Sequence, residues 1–104
     1  MNDRPIGVFD SGVGGLTILS ELQKLLPHET FIYVADSAFA PYGKRSITEL
    51  QTRTKAITEF LILKHTKLIV VACNTASISS IKVLRKDFKK PIIGVVPVVK
   101  YLSE

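Results

Sequence analysis

The sequence predicts an α/β fold, a parallel β-sheet with helices packed against it. Three observations carry that expectation. Four short, β-rich apolar runs recur along the 104-residue chain. Segments with helical spacing separate them. The runs are apolar nearly throughout rather than alternating, as in strands covered on both faces of a parallel sheet.

The first run is "IGVFD" (6–10), followed by the turn "DSGVGG" (10–15). In the first helical pattern Leu16, Leu19, Leu22, Leu25 and Leu26 recur at spacings that share a face, and Pro27 closes it. The second run is "FIYVAD" (31–36), and "APYGKRS" (40–46) forms an irregular connection around Pro41 and Gly43. A second helix is predicted from "SITE", where Ser46 and Glu49 have capping-box spacing. It carries Leu50, Ile57, Phe60 and Leu61 on one face. The third run, "LIVVAC" (68–73), leads into a helix after Thr75 with Ile78, Ile81, Leu84 and Phe88 as its stripe and Pro91 beyond. The last run is "IIGVV" (92–96). This β-α-β-α-β-α-β order, with right-handed crossovers, predicts a flavodoxin-like three-layer αβα sheet. The chain ends in "VPVVKYLSE" without a clear final element.

Composition narrows the function classes. Hydrophobic residues make up 46% and the mean hydropathy is +0.26, so apolar surface is expected to meet another domain, a partner or further chain. No apolar run approaches the ~18 residues of a membrane-spanning helix, and "MNDRPIGVFD" lacks a signal peptide's pattern, so no membrane partner and a cytoplasmic location are expected. One cysteine forms no internal disulfide and no sulfur-only zinc site, and no metal is expected. The net charge is +5, with a cluster in "KVLRKDFKK" at Lys82, Arg85, Lys86, Lys89 and Lys90. It reads as the solvated end of a helix, where cations suit the macrodipole. Without interleaved aromatics or a known module, no nucleic-acid partner is expected.

In an open parallel sheet, ligands bind beyond the carboxyl ends of the strands. Those ends read Asp10-Ser11-Gly12, Asp36-Ser37 and Cys73-Asn74-Thr75, so small, polar and acidic groups converge on one rim. The glycines of "DSGVGG" allow a tight turn with positive φ. The loop is neither a complete GxGxxG nor a P-loop, and a plain strand-to-helix turn fits it equally. Asp10 there argues against a phosphate and for a cationic group such as an ammonium. In the next loop Tyr42 can offer a hydroxyl and the backbone its amides to a carboxylate, though an ordinary surface loop has the same composition. A lone cysteine is more often a buried structural thiol than a reactive one. Against that, a helix start favours the thiolate form. Asn74 and Thr75 read either as caps of that helix or as donors to an anion beside the sulfur. His28 and His65 lie at element ends away from the rim and read as surface residues.

Taken together, "GVFDSGVGGLTIL", "ADSAFAPYGKRS" and "VVACNTAS" resemble the N-terminal half of the glutamate racemases in order and spacing, and "PIIGVVP" fits the next segment of that family. The resemblance covers essentially the whole chain. It implies cofactor-independent inversion at Cα of glutamate, supplying D-glutamate for peptidoglycan. Two cysteines on opposite faces of the substrate do the work, one removing a proton while the other delivers one. Carried onto this sequence, Cys73 is the base that deprotonates D-glutamate. Asp10 and Ser11 match the residues that hold the amino group, with Asp10 also placed to assist the thiol. Asn74 and Thr75 match the α-carboxylate contacts, and Pro41, Tyr42 and Gly43 the loop that receives the side-chain carboxylate. No metal or pyridoxal cofactor is implied.

The departures are specific. Family members are more than twice as long and carry the second cysteine in a Cys-Thr-His block, which is absent here. Lys44 stands where many members have an acidic residue. The resemblance therefore implies that residues 1–96 form most of the first of two similar domains, incomplete by itself, with 97–104 starting the connection to the second. The 104 residues alone are expected to be inactive, and a homodimer stays open for the longer parent. The alternatives are an aspartate racemase or related two-cysteine racemase, and a non-catalytic anion-binding or interaction module. Nucleotide binding at the Gly12–Gly15 loop is made less attractive by Asp10.

Overall fold

The sheet of the computed structural model, which describes residues 3–12, 15–39 and 41–95, is built around its first strand. Strand β1 (Ile6–Asp10) lies between β2 (Phe31–Ala35) and β3 (Leu68–Val71), and β4 (Ile92–Gly94) follows β3, so the order is β2-β1-β3-β4. All pairings are parallel: Ile6 faces both Phe31 and Leu68, and Ile69 faces Ile92. The chain leaves β1 toward one side for β2 and then crosses back past β1 to β3. Right-handed crossovers in opposite directions put the connecting helices on opposite faces.

The core shows that division. Ile6, Val8, Val70 and Ala72 pack with Ile18, Leu19 and Leu22 of helix α1 (Gly15–Leu25). Phe9, Ile69, Val71 and Ile92 pack with residues of α2 (Ile47–Leu63) and α3 (Asn74–Asp87), chiefly Leu50, Ile57, Leu61 and Leu84. Alternation along β1 sends Val8 to one layer and Phe9 to the other. Gly7 makes room for the second layer, since a Cβ there would lie 3.1 Å from Leu61. The three-layer αβα architecture is as the sequence predicts.

Several predicted details shift. Asp36, Ala72 and Cys73 lie just past their strands rather than within them, because the rim loops begin there. β4 ends at Gly94, and Val96 lies outside the described residues, as do 97–104. β2 is only half-buried, because among the described residues it has a neighbour on one side alone. On α1, Leu16 and Leu25 are exposed and only Ile18, Leu19 and Leu22 meet the sheet, since the ends of a short helix overhang its contact stripe. Phe60 and Ile78 likewise face outward rather than into the core. The predicted surplus of apolar surface is thus present, with Leu16, Leu25, Ile47, Leu63 and Ile78 all exposed. His28 and His65 are exposed as expected.

Helix α2 opens with the predicted capping box: Glu49 N–H donates to Ser46 Oγ at 3.1 Å and Ser46 N–H to Glu49 Oε1 at 3.0 Å. Gln51 donates to the Ser79 carbonyl at 3.1 Å, and Lys55 pairs with Asp87 at 2.7 Å, which ties α2 to α3. Arg85, from the basic cluster in the last turn of α3, donates to the Ile92 carbonyl at 2.9 Å. Among the described residues no helix is long and apolar enough to cross a membrane.

Thr54 Oγ on α2 donates to the Leu50 carbonyl at 2.8 Å, but Thr58 Oγ1 is buried with no hydrogen-bond partner. An unpaired buried hydroxyl costs stability that a methyl of the same shape does not. Thr58→Val is expected to leave stability unchanged or raise it by up to ~1 kcal/mol, read as the midpoint of urea unfolding. A loss larger than that would show that the hydroxyl has a partner in solution.

Candidate active site

Three loops leave the carboxyl edge of the sheet where the chain reverses direction about β1, the position at which α/β sheets bind ligands. Asp10, the last residue of β1, is fully buried. Its carboxylate accepts from the Gly12 N–H at 2.8 Å and from the Tyr33 hydroxyl at 2.9 Å. Burial, together with the Asp10 carboxylate it donates to, pushes the Tyr33 phenol up to about 12. Asp10 therefore organises its own turn. A carboxylate has about four acceptor sites, so these two donors do not use all of them. Ser11 beside it is nearly buried.

Gly12 has φ +90°, and a Cβ on it would sit 2.9 Å from the Cα of Ser37. Only glycine allows the β1 loop to lie this close to the β2 loop. The Asp36 N–H continues the ladder beyond β2, donating to the Asp10 carbonyl at 3.0 Å.

The second loop hangs from Asp36. This carboxylate is 4% exposed and receives Arg53 Nε and Nη2 at 2.8 and 2.7 Å, in a bidentate pair. It also accepts the Tyr42 hydroxyl at 2.7 Å. The Arg53 guanidinium holds the Asp36 carboxyl below its ordinary range. Burial and then Asp36 push the Tyr42 phenol up, so it stays a neutral donor. The Tyr42 hydroxyl therefore faces inward and is not offered to a ligand, contrary to the sequence reading. What the loop presents outward is Pro41 and Gly43, both exposed, on a single 3-10 turn (Tyr42–Lys44). That turn closes through Lys44 N–H to the Pro41 carbonyl at 3.2 Å and Arg45 N–H to the Tyr42 carbonyl at 3.0 Å.

Cys73 follows β3 and occupies the N-cap position of α3, with extended φ −113° and ψ 125°. Its carbonyl accepts from the Ser77 N–H at 2.8 Å, but its side chain makes no capping bond. Asn74 and Thr75 are the first two residues of the helix, so neither caps it, a correction to the sequence reading. Their amides belong to the first turn, which has no intrahelical acceptors and points positive dipole toward the rim. Cys73 is 8% exposed and shares a buried cluster with Tyr42, Leu50 and Ala76. Ser77 locks this corner: its hydroxyl donates to the Val71 carbonyl and accepts from the Val95 N–H, both at 3.1 Å. Thr75 borders an open groove of about 560 Å³ shared with Tyr42, Gly43, Ile47 and Ile78.

The structure thus brings all the sequence-predicted residues to one rim. Asp10 ends β1 with Ser11 just after it, Pro41, Tyr42 and Gly43 lie on the second loop, and Cys73, Asn74 and Thr75 stand at the start of α3. Sequence reasoning missed Arg53, and it noted Asp36 without a partner. Their pairing spans a strand end and a helix, which no local pattern reports. Among the described residues no group of three or more His, Cys, Asp or Glu side chains is placed to hold a metal ion.

No family model matches the chain. It is 48% identical over 99 residues to the glutamate racemase of Methylococcus capsulatus, covering 95% of this chain and 36% of that protein. It is 51% identical over 100 residues to the glutamate racemase of Clostridium botulinum strain Loch Maree, covering 96% and 39%. Among solved structures, glutamate racemase from Thermus thermophilus superposes with a TM-score of 0.85 at 47% identity, over 88% of this chain and 36% of that one. The Escherichia coli glutamate racemase, in complex with L-glutamate and the activator UDP-MurNAc-ala, gives 0.86 at 43% identity over 93% and 37%. Glutamate racemase from Francisella tularensis in complex with D-glutamate gives 0.84 at 41% identity over 90% and 36%. The chain thus spans between a third and two fifths of the length of these relatives.

The rim carries three expected outcomes. Because the folded Asp36 carboxyl titrates below its ordinary value of 3.8, its contribution to stability is complete above that value and is lost as pH falls through the lower, folded one. Between about pH 5 and pH 2, wild-type stability should fall more steeply than that of Asp36→Asn in denaturant titrations; equal slopes would contradict the pairing. Gly12→Ala should lower stability by ~1–3 kcal/mol, since it combines a left-handed φ with a backbone clash. Gly43→Ala, whose Cβ would meet nothing within 4 Å, should cost less than about 0.5 kcal/mol by the same measurement.

Proposed function

We propose that this chain, a relative of the glutamate racemases over nearly its whole length, contributes one face of a cofactor-independent glutamate racemase site. The parent reaction is interconversion of L- and D-glutamate, which supplies D-glutamate for peptidoglycan. The observation that carries the reading is Cys73 at the first turn of α3, on the same rim as the Asp10 and Pro41–Gly43 loops.

Each end of the substrate has a chemical counterpart there. The α-carboxylate goes to the first turn of α3, at Asn74 and Thr75, where unpaired amides and the dipole favour an anion. The ammonium goes to Asp10 and Ser11. The side-chain carboxylate goes to the backbone of the Pro41–Gly43 turn, since the Tyr42 hydroxyl is engaged with Asp36. This places Cα–H of D-glutamate over the Cys73 sulfur, whose thiolate takes the proton, while Asp10 assists the thiol. The two carboxylates of the substrate stay apart because their sites lie on different loops.

Inversion needs an acid on the opposite face of Cα, and Cys73 is the only cysteine among the 104 residues. In this reading residues 1–96 belong to the first of two similar domains, residues 97–104 begin the connection to the second, and the opposing thiol comes from that second domain. A cytoplasmic location and a homodimeric parent belong to the same proposal. The exposed Ile47 and Ile78 beside Thr75 favour a second reading, an interaction module that keeps the anion site without chemistry.

Proton NMR of the folded chain in D₂O separates the two. The expected result is loss of the Cα–H signal from D-glutamate but not L-glutamate, without inversion, and abolished in Cys73→Ala. Amide shifts at Asn74 and Thr75 without any exchange would favour the module. Neither shifts nor exchange would sink both readings, and conversion of D- to L-glutamate by these 104 residues would overturn the one-face assignment.

A further inference from the structure

Arg53 sits on α2, yet two short links connect it to the rim. Its bidentate pair with Asp36 and the Tyr42 hydroxyl on the same carboxylate form a chain of contacts between 2.7 and 2.8 Å. Asp36 and Tyr42 are 4% and 2% exposed, so water does not compete for the inner link. The base of the chain is rigid, because the Asp36 amide is bonded to the Asp10 carbonyl. Its other end is a helix held by its own capping box.

Beneath the turn, Tyr42 also packs in the core cluster that holds Leu50, Cys73 and Ala76. Pro41 and Gly43 are exposed, and space around Gly43 is open to 4 Å. Tyr42 is the turn's one buried residue. Phe39 steadies it from the side: the rings meet edge-on at 6.1 Å, and Arg45 and Arg53 lie over Phe39 at 4.1 and 5.3 Å. Tyr42 thus anchors the Pro41–Gly43 backbone to the fold, through its ring in that cluster and through its hydroxyl on Asp36.

We propose that Arg53, acting through Asp36 and the Tyr42 hydroxyl, is a positioning residue that sets the distance between the Pro41–Gly43 turn and the start of α3, and with it the length of dicarboxylate the rim accepts. This rests on the proposed function, in which the two carboxylates of glutamate occupy those two places. Glutamate and aspartate differ by one methylene, a difference a well-shaped site discriminates by about 10–200-fold. Arg53 touches neither carboxylate, so it works through geometry. A lysine keeps the charge but not the planar fork, so it should replace Arg53 only in part.

The test measures binding of D-glutamate, D-aspartate and D-alanine to the full chain by amide NMR shifts, in wild type, Arg53→Met, Arg53→Lys, Tyr42→Phe and the Arg53→Met/Tyr42→Phe double variant. D-alanine lacks the side-chain carboxylate and reports the α-carboxylate end alone. Arg53→Met should weaken D-glutamate about tenfold, leave D-alanine unchanged and erase most of the preference over D-aspartate. Tyr42→Phe should give the same pattern, the double variant no further loss, and Arg53→Lys an intermediate one. A purely structural role would weaken all three ligands together, and that outcome overturns the proposal, as does additive loss in the double variant. If Arg53→Met does not fold, Tyr42→Phe and Arg53→Lys carry the same comparison. Wild type that binds D-alanine and D-glutamate equally would overturn the assignment of the side-chain carboxylate to this turn and the clamp with it. Wild type that discriminates, with a ratio unmoved in the variants, overturns the clamp alone.

Discussion

Strand β1 is hydrogen-bonded on both sides, to β2 and to β3, and the whole rim depends on that placement. A parallel strand with neighbours on both sides ends in the same plane as theirs. The loops after Asp10, Ala35 and Val71 therefore emerge side by side, although long stretches of sequence separate them. The reversal of crossover direction about β1 keeps helices off this edge and sends them to opposite faces.

Two buried carboxylates then stand at that edge in different surroundings. Asp10 receives a backbone N–H and the Tyr33 phenol, both neutral donors. Asp36 is neutralised by Arg53 and braced by Tyr42, so it is structural in its electrostatics even though it stands at an equivalent strand end. Environment, rather than residue type, separates their roles. The start of α3 adds a positive field a short distance away. The rim therefore carries an acidic strand end and a helix start in separate places.

The capping box, the three helices, the four strands and their αβα layering were all legible in the residues, because hydrophobic period and turn chemistry are local properties. So was the grouping of Asp10, Ser11, Cys73, Asn74 and Thr75 at strand ends, since topology alone brings such ends together. Less legible was which apolar residues are buried. Leu16, Leu25, Phe60 and Ile78 fit helical stripes as well as their buried neighbours do, but a stripe marks only a direction on a helix. Burial needs an opposing surface, and among the described residues these side chains stay exposed.

By itself the sequence determined the element order, the residues delivered to the rim, and, through three blocks of motif, a likeness to the glutamate racemases. The tertiary structure decided what those residues do with their polar atoms. It turned the Tyr42 hydroxyl inward to Asp36, made Cys73 rather than Asn74 or Thr75 the cap residue of α3, and recruited Arg53 from a helix face. The reason is physical: a side chain's partner is fixed by distance in space. Asp36 and Arg53 lie 17 positions apart in the chain but 2.7 Å apart across the fold.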